Sequence, residues 1–309
     1  MKQYNYSVII PTKNIPDLLS RALNTIPQRD DVQVIIVDDN SNPEKVDFEQ
    51  YPGLDRKNTQ VIFNKDSLGA GHARNIGLRQ AEGNWIIFLD SDDLFTENAF
   101  DLIDQHLNDS EDIVYFGITS AISEDMSPSN RHIKRMTEIE KYRSSFRQLD
   151  FYLRFNYTEP WGKMYKRSLI ASKNISFDES LVANDFMFSV LTGYYAVKIL
   201  YDDHILYCCT ERSNSICNDI YENSDKIQSR LMVYYRAQLF FNSKKIKLYP
   251  FISLLRKIYF EKRLEGEISK YVNANRVSYW WIVKNTMSYI LLTFYRTCTG
   301  TLLTSYKKG

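Results

Sequence analysis

The first 120 residues alternate apolar, strand-like runs with segments that carry helix signals, and this alternation limits the possible folds more than any other feature. Strands are predicted at residues 6–11, 32–37, 58–64, 85–89 and 113–120. Helices are expected between them, including one that Asn14 would cap and one that begins near Gly69. Because such connections pack helices over both faces of a sheet, the sequence predicts an α/β fold with a Rossmann-like, mainly parallel sheet.

Three carboxylates follow the apolar run 85–89 within four positions: Asp90, Asp92 and Asp93. In an open parallel sheet, the carboxyl ends of the strands line the crevice in which ligands bind. Hard divalent cations prefer oxygen ligands to nitrogen or sulfur, so this strand end predicts a metal site. A plainer alternative is that Asp92 and Asp93 cap the helix expected at 97–107, since acidic residues often precede helices.

A second strand of the expected sheet also ends in acid, at Asp38 and Asp39. Glycines and basic residues lie between the two acidic strand ends, among them Gly69 and Arg74. Such a set suits a nucleoside diphosphate: one acid accepts hydrogen bonds from the base, another holds a cation on the phosphates, and Arg74 offsets their charge. We therefore expect a nucleotide site where the two strand ends meet.

The charge of the chain is divided between an acidic body and a basic tail. Residues 1–225 carry 23 Lys and Arg against 35 Asp and Glu, whereas residues 226–309 carry 16 against 3. The tail is also aromatic, but Lys284 and Arg296 interrupt its most apolar stretch, 279–306, so no membrane-spanning helix is expected. This pattern favours an amphipathic helix on an anionic membrane surface; the alternative is a soluble helical subdomain that packs on the body.

The other global signals are consistent with a protein of the cytoplasm. The four cysteines lack the spacing of a metal site or a disulfide framework, and the first residues do not form a signal peptide. We expect a body at residues 1–217 and the basic, helical tail at 218–309. The expected location is cytoplasmic and peripheral on the inner face of the membrane.

The middle of the chain gives weaker signals. Residues 123–143 are polar without clear periodicity, which predicts a mobile loop or lid over the site. An apolar helix is predicted at 185–194, and two separate strands, 197–201 and 205–210, would complete the body.

Five segments follow one another along the body in a recognisable order. They read S-V-I-I-P-T-K-N at 7–14, V-D-D-N-S at 37–41, G-A-G-H-A-R-N-I-G-L at 69–78, G-N-W-I-I-F-L-D-S-D-D at 83–93 and W-G-K-M-Y-K-R-S-L-I at 161–170. Together they resemble the inverting family 2 glycosyltransferases with the GT-A fold. The resemblance covers residues 6 to about 216 and implies sugar transfer from a nucleotide-sugar donor with the help of Mg²⁺ or Mn²⁺.

The resemblance also implies which residues bind the donor nucleotide. Pro11 and Thr12 would line the base, and Asp39 would hydrogen-bond it. Arg74 would lie near the base and phosphates, with Asp90 near the ribose.

Metal binding and catalysis are implied for two further acids. Asp92 would ligate the cation that bridges the two phosphates, which leaves Asp93 as an ordinary cap. Asp185 would take the proton from an acceptor hydroxyl as that hydroxyl attacks the anomeric carbon, in one inverting displacement. The family has Glu-Asp where this chain has Asn184-Asp185, so the support of the base or its acceptor preference is in doubt, and Asp185 as a mere helix cap remains an alternative.

Three other residues border these motifs. Trp161 would stack on a sugar face, although a buried core tryptophan fits the sequence nearly as well. Arg212 and Ser215 lie in a segment that resembles the family's Arg-x-x-Ser and would help to close over the diphosphate. His72 receives no role, because an exposed loop histidine explains it equally well.

The expected function is transfer of a sugar from a UDP-sugar to a hydroxyl of a lipid-linked surface glycan, with no nucleic-acid partner. Because Asn184 replaces the usual Glu, a catalytically silent relative that binds sugar nucleotides or scaffolds a membrane complex remains an alternative. A metal-dependent nucleotidyltransferase would need a glycine-rich loop after the first strand, and residues 12–16 contain no glycine. A glycoside hydrolase with paired carboxylates would leave the acidic end of the second strand without a purpose.

Overall fold

The structure is a computed structural model that describes residues 4–212, 221–261 and 264–299, with side chains up to residue 293 of the last helix. The chain divides into two compact units. The first unit contains residues 1–141, 153–179 and 184–215, and the second contains residues 142–152, 180–183 and 216–309. The boundary expected after residue 217 lies in the stretch 213–220, outside the described residues, and stays a prediction.

Within the described residues, the first unit is built on an eight-stranded mixed sheet. Its strands are β1 (Tyr6–Thr12), β2 (Val32–Asp39), β3 (Thr59–Asn64), β4 (Trp85–Phe88), β5 (Leu94–Phe95), β6 (Ile113–Ile122), β7 (Lys163–Lys166) and β8 (Ile199–Glu211). Their spatial order is β3-β2-β1-β4-β7-β6-β8-β5. Strands β1 to β4 are mutually parallel and β6 is parallel to β8, whereas β5 and β7 run antiparallel to their neighbours. The predicted mainly parallel sheet with flanking helices is confirmed.

Helices connect these strands, mostly where the sequence indicated them. They are α1 (Pro16–Leu23), α2 (Ala70–Gln80), α3 (Ala99–Asp104), α4 (Ile133–Tyr142), α5 (Phe146–Asn156), α6 (Arg167–Ser172) and α7 (Phe186–Tyr195). Every residue of β1, β2 and β4 is buried, as expected for strands covered by helices on both faces.

The predicted cap of α1 is wrong. The helix begins at Pro16 with Ile15 at the N-cap position, and no side chain caps it. Asn14 instead adopts a left-handed conformation with φ of 60°, and its side-chain oxygen accepts a hydrogen bond from the Asn42 N–H at 2.7 Å. Its own N–H donates to the Ser41 hydroxyl at 2.7 Å. Asn14 therefore joins the loop after β1 to the loop after β2, at the edge of the sheet where the site is expected.

The predicted loop at 123–143 is also wrong, because ten of these residues form helix α4. The helical signal was a run of apolar residues three positions apart, Ile133, Met136, Ile139 and Tyr142, of which Ile139 and Tyr142 are buried. Charged residues between them concealed this period.

The two strands predicted at 197–201 and 205–210 are one continuous strand, β8. Its pairing with β6 shifts register on either side of Gly117. This irregularity accommodates residues 202–204, which separate the two predicted strands. A methyl group at Gly117 would lie 2.8 Å from the carbonyl oxygen of Asp203, so the backbones approach too closely there for any other residue.

The second unit is largely helical and has an apolar core of its own. Its tail helices are α8 (Ser224–Ser243), α9 (Pro250–Arg256), a π-helical turn (Lys257–Glu261), α10 (Glu265–Ala274) and α11 (Tyr279–Thr299). Buried side chains from these helices pack together, among them Leu231, Phe251, Ile258 and Tyr271. In the described part of the chain, every helix is too short or too polar to cross a bilayer.

An aromatic cluster under the carboxyl end of β4 gives a test of the core. Phe188 of α7 stacks on Phe177 with ring centroids 3.9 Å apart, and its ring meets that of Phe88 edge to face at 5.4 Å. We expect Phe188→Ala to lower the free energy of unfolding by about 3–5 kcal/mol, because it leaves a cavity among fully buried rings. The control Phe146→Ala removes a ring that is 80% exposed and should cost less than about 0.5 kcal/mol. Urea unfolding measures both, and equal losses would contradict this account of the core.

Candidate active site

The two acids at the end of β2 have different surroundings. Asp38 is buried, and its carboxylate accepts hydrogen bonds from the Ser41 N–H at 2.8 Å and from the Tyr51 hydroxyl at 2.7 Å. Asp39, which is 4% exposed, accepts from the Gly69 N–H at 3.0 Å. Asp38 thus holds the loop that follows β2, whereas Asp39 joins β2 to the start of helix α2.

The end of strand β1 carries two residues, Pro11 and Thr12, that the sequence predicted to line the nucleotide base together with Asp39. Lys13 lies 3.5 Å from the Asp39 carboxylate, and the buried Pro11 and Thr12 end the neighbouring strand β1. Thr12 is the parallel partner of Asp38. The predicted base-binding residues therefore come together at one edge of the sheet.

The predicted cap role of Asp93 is wrong. Its carboxylate is buried and accepts hydrogen bonds from the Tyr207 hydroxyl and the Thr210 N–H, each at 2.6 Å, both from strand β8. Burial, together with the charges of Asp92 and Asp90, raises the pKa of Asp93 well above its usual range. No helix follows directly, because the short strand β5 intervenes before α3. Asp93 is therefore an anchor between β8 and residues 90–93, which we call the acidic loop.

Asp92 carries the more accessible carboxylate of this pair. Its backbone carbonyl accepts hydrogen bonds from Arg21 at 2.8 Å and from the Thr210 hydroxyl at 2.7 Å, which fixes the loop. Its side chain is 23% exposed and lies 2.6 Å from the guanidinium of Arg212. The structure thus brings Arg212 to the acidic loop, while Ser215 lies outside the described residues.

Arg74 joins the acidic loop to Asn184, the residue before the expected catalytic base Asp185. Its guanidinium is buried and donates to the Asp90 carboxylate at 2.5 Å and to the Asn184 side-chain oxygen at 3.0 Å. The guanidinium carbon also lies 5.3 Å from the centroid of the Phe177 ring. Burial lowers the pKa of Arg74, but the charges of Asp90 and Asp185 outweigh burial and raise the pKa above its usual value. Arg74 therefore stays charged inside the site.

Helix α2 holds the segment before Asp185 through several side chains. Asn75 donates to the Phe177 carbonyl at 3.0 Å and accepts from the Phe177 N–H at 2.8 Å. His72, to which the sequence gave no role, lies 2.8 Å from the Glu179 carboxylate. These contacts position the residues that lead into α7.

Asp185 occupies the N-cap position of α7, but its side chain makes no capping hydrogen bond. Burial raises the pKa of Asp185 to about 6; the Arg74 charge lowers it and the Glu159 charge raises it. The pKa of this carboxyl group therefore lies closer to neutral pH than that of an ordinary aspartate. The interpretation of Asp185 as a mere cap lacks the contact that defines a cap.

Lys163 and Glu159 form a charged group close enough to Asp185 to affect its pKa or to be affected by its charge, and the sequence analysis did not identify this group. The Lys163 side chain is buried and donates to the Tyr157 carbonyl at 2.5 Å, with its ammonium 4.4 Å from the Tyr157 ring centroid. Burial lowers the pKa of Lys163 to about 7, although the Glu159 charge opposes this shift. One guanidinium nitrogen of Arg135 donates to both carboxylate oxygens of Glu159, at 2.7 and 2.6 Å. The signal for this group was a lysine among the apolar residues of the run 161–165, W-G-K-M-Y.

Trp161 is 7% exposed, and its ring lies parallel to that of Tyr207, with centroids 4.9 Å apart and an interplanar angle of 3°. Since Tyr207 also bonds Asp93, Trp161 supports the acidic loop through one intermediate residue. Its stacking on a sugar stays a prediction.

The acidic loop has the ligand chemistry of a hard cation site. Asp90 and Asp92 offer carboxylate oxygens at side chains that are 28% and 23% exposed, and oxygen donors suit Mg²⁺ and Mn²⁺. Arg74 lies against the Asp90 carboxylate and Arg212 against the Asp92 carboxylate, so a cation would compete with a guanidinium for either oxygen ligand. Elsewhere in the described residues, Asp202, Asp203 and His204 also cluster, but Asp202 already bonds His204 at 2.7 Å.

The family model for Glycosyl transferase family 2 matches residues 7–172, which contain the acidic strand ends and Arg74. The chain belongs to this family. The predicted family is thus confirmed, and the match ends before Asp185.

Sequence relatives belong to the same class of enzyme. The chain is 28% identical over 228 residues to the poly(ribitol-phosphate) beta-N-acetylglucosaminyltransferase TarS of Staphylococcus aureus, covering 70% of this chain and 37% of TarS. It is also 28% identical over 184 residues to the GalNAc(5)-diNAcBac-PP-undecaprenol beta-1,3-glucosyltransferase of Campylobacter jejuni, covering 58% of this chain and 56% of the relative. The chain thus spans well under two thirds of the length of either relative.

Solved structures share the fold. TarS residues 1–349 in complex with UDP-GlcNAc superpose with a TM-score of 0.55 at 20% identity, covering 81% of this chain and 79% of the other. The mannosyltransferase PcManGT of Pyrobaculum calidifontis, in complex with GDP-Man and Mn²⁺, gives 0.53 at 16% identity and covers 96% and 84%. The predicted GT-A fold is confirmed.

Gly71 provides a test of how α2 positions the residues before Asp185. A methyl group at Gly71 would lie 2.1 Å from the Asp178 carbonyl oxygen and 2.8 Å from the Asn184 Cβ. We expect Gly71→Ala to destabilise the protein by about 1–3 kcal/mol and to displace Asn184 from Arg74.

The control is Gly266→Ala in helix α10, where a methyl group meets no atom within 4 Å. Removing a helical glycine there should stabilise the protein by roughly 0.5–1 kcal/mol. Thermal unfolding measures both variants. A Gly71→Ala protein as stable as the wild type would show that α2 is not tightly packed against Asp178 and Asn184.

Proposed function

We propose that this protein transfers one sugar from a UDP-sugar to a hydroxyl acceptor, with inversion at the anomeric carbon and with a divalent cation. The observation that carries the proposal is the buried contact chain from Asp90 through Arg74 to Asn184, directly beside Asp185. It links an acidic strand end suited to a diphosphate with a carboxylate suited to deprotonate a hydroxyl. Family membership and the UDP-GlcNAc complex of TarS support the choice of donor.

In this proposal the donor nucleotide lies across the ends of β1, β2 and β4. Pro11 and Thr12 line the base, and Asp39 accepts its hydrogen bonds. Arg74 contributes positive charge near the phosphates, while Asp90, which is fixed by Arg74, lies near the ribose.

The proposed cation ligand is Asp92, with Arg212 as an additional partner of the diphosphate. When bound, a divalent cation offsets the negative charge that develops on the departing nucleoside diphosphate. Arg212 now neutralises Asp92, and the same guanidinium would be free to turn to a phosphate once another positive charge occupied the carboxylate. The Mn²⁺ complex of the mannosyltransferase neighbour is consistent with this choice of ion.

Asp185 is the proposed base. It takes the proton of the acceptor hydroxyl while the oxygen of that hydroxyl forms its bond to the anomeric carbon and the nucleoside diphosphate leaves. A carboxylate is basic enough for this step because the proton moves as the bond forms. Trp161 and Ser215 remain proposed contacts for the sugar and the diphosphate, respectively.

Asn184 accepts the same kind of hydrogen bond from Arg74 that a Glu would accept, but it brings no charge. Arg74 thus keeps a hydrogen bond to the residue beside Asp185, and the carboxylates that raise its pKa are those of Asp90 and Asp185. This argues against the alternative of a catalytically silent relative that only binds sugar nucleotides.

The acceptor is proposed to be a lipid-linked surface glycan at the cytoplasmic face of the membrane. The Campylobacter relative, whose name describes an undecaprenol-linked acceptor, supports this class. The basic tail, proposed as a separate domain at 218–309, would contact the anionic membrane surface, because it carries 16 Lys and Arg against 3 Asp and Glu from residue 226 on.

Replacement of Asp92 tests the metal site. We expect Asp92→Ala to reduce sugar transfer from UDP-GlcNAc by about 100-fold and to abolish its dependence on Mn²⁺, because the diphosphate charge is no longer offset. Asp101→Ala removes an exposed acid of α3 and should leave both quantities unchanged. Rates across a Mn²⁺ titration measure the effect, and metal-dependent turnover retained by Asp92→Ala would rule out this ligand.

Thermal-shift screening with UDP-, GDP- and dTDP-sugars tests the donor, because a ligand of the native state raises Tm.

The pKa of Asp185, about 6, predicts the pH dependence of transfer. The base acts only when ionised, so kcat/KM should be constant well above pH 6 and fall about tenfold for each pH unit below it. Asp185→Asn should lower kcat about 100- to 10,000-fold, and its residual kcat/KM should no longer fall below pH 6. The control Asp101→Asn should keep the wild-type kcat and the wild-type pH profile. Full activity of Asp185→Asn would exclude Asp185 as the base.

A further inference from the structure

The tail helices form an apolar groove of about 770 Å³. Its walls come from α9, the π-helical turn, α10 and α11, and include Leu255, Phe260, Ile268, Ile282 and Ile290. Its volume falls within the range of about 300–1,000 Å³ that is typical of pockets for small ligands.

The mouth of the groove exposes large apolar side chains to solvent. Phe260 is 70% exposed, Ile290 is 52% exposed and Tyr259 is 49% exposed. The floor belongs to the core of the same unit, since Ile252 lines the groove and is 3% exposed. A buried floor with an exposed apolar rim is suited to an apolar chain rather than to a polar sugar.

The charge around the groove selects among apolar occupants. Arg256 is one of the residues that line the groove, and Lys257 follows it in the chain. Residues 226–309 have a net charge of +13, so two copies of the tail repel each other. The same charge attracts an anionic lipid surface.

We propose that this groove takes an acyl chain of an anionic phospholipid, with the Arg256 guanidinium near the lipid phosphate. The inference rests on the proposed contact between the tail and the membrane, and it names the place and the chemistry of that contact. The lipid would be held by one chain in the groove and by the phosphate at its rim, so binding requires both an apolar chain and a negative headgroup.

The test compares two neighbouring residues of α11 in the full-length protein. Ile290 lines the groove, whereas Leu291, 66% exposed, is not among the residues that line it. We expect Ile290→Glu to weaken co-sedimentation with vesicles of three parts phosphatidylcholine and one part phosphatidylglycerol by at least about tenfold, and Leu291→Glu by less than about twofold. Both variants add the same charge, so simple electrostatic repulsion would affect them equally. Ile290→Leu should retain binding.

Further measurements separate the possible failures. Vesicles of phosphatidylcholine alone should bind the wild type at least about tenfold more weakly, because the headgroup has no net charge. Equal losses in both Glu variants would overturn the groove as the binding place while leaving the membrane contact intact. No binding of the wild type to anionic vesicles would overturn the membrane contact too.

A wild-type dimer in sedimentation velocity that Ile290→Glu converts to monomer would show that a second copy occupies the groove instead of a lipid. Matched Tm values and UDP-GlcNAc turnover without vesicles establish that the variants are folded.

Discussion

The burial of the Arg74 guanidinium is the interaction on which the arrangement of the site depends. A guanidinium removed from water is costly unless anions and hydrogen-bond acceptors surround it, so its partners must be held in place. The Asp90 carboxylate, the Asn184 amide oxygen and the nearby charge of Asp185 meet this demand. One cation thus fixes the position of a strand end and of a helix start that are nearly one hundred residues apart in the chain.

The rest of the site extends from this pair of contacts by ordinary hydrogen bonding. On one side, Asp93 anchors the acidic loop to β8, and Trp161 stacks on the tyrosine that bonds Asp93. On the other side, Asn75 and His72 hold the backbone and a side chain of the segment before α7. Asp92 is left more accessible than Asp93, and Asp185 is left without a capping bond, which are the conditions that their proposed chemistry requires.

Sequence reasoning identified the sheet and its acidic strand ends because both depend on local signals: continuous apolar runs, and acids directly after them. It did not identify partners that only the tertiary fold provides. Asp93 looked like a cap because β8, more than one hundred residues later, supplies its true partners. Lys163 received no role in the sequence prediction, because the contacts with Tyr157 and Glu159 that surround it form only in the folded protein. Helix α4 was missed because charged residues obscured its three-residue apolar spacing.

The close approach at Gly71 has a consequence for how this site can vary among related chains. The backbone at Asp178 and the side chain at Asn184 occupy the space that any larger residue at position 71 would need. A side chain there therefore requires a compensating shift of Asp178 and Asn184, which would also move Asn184 away from Arg74. Because the atoms in the way are a backbone oxygen and a Cβ carbon, a change of side chain at position 178, or at position 184 to any residue other than glycine, would not make room, and position 71 should stay glycine in chains that keep this packing.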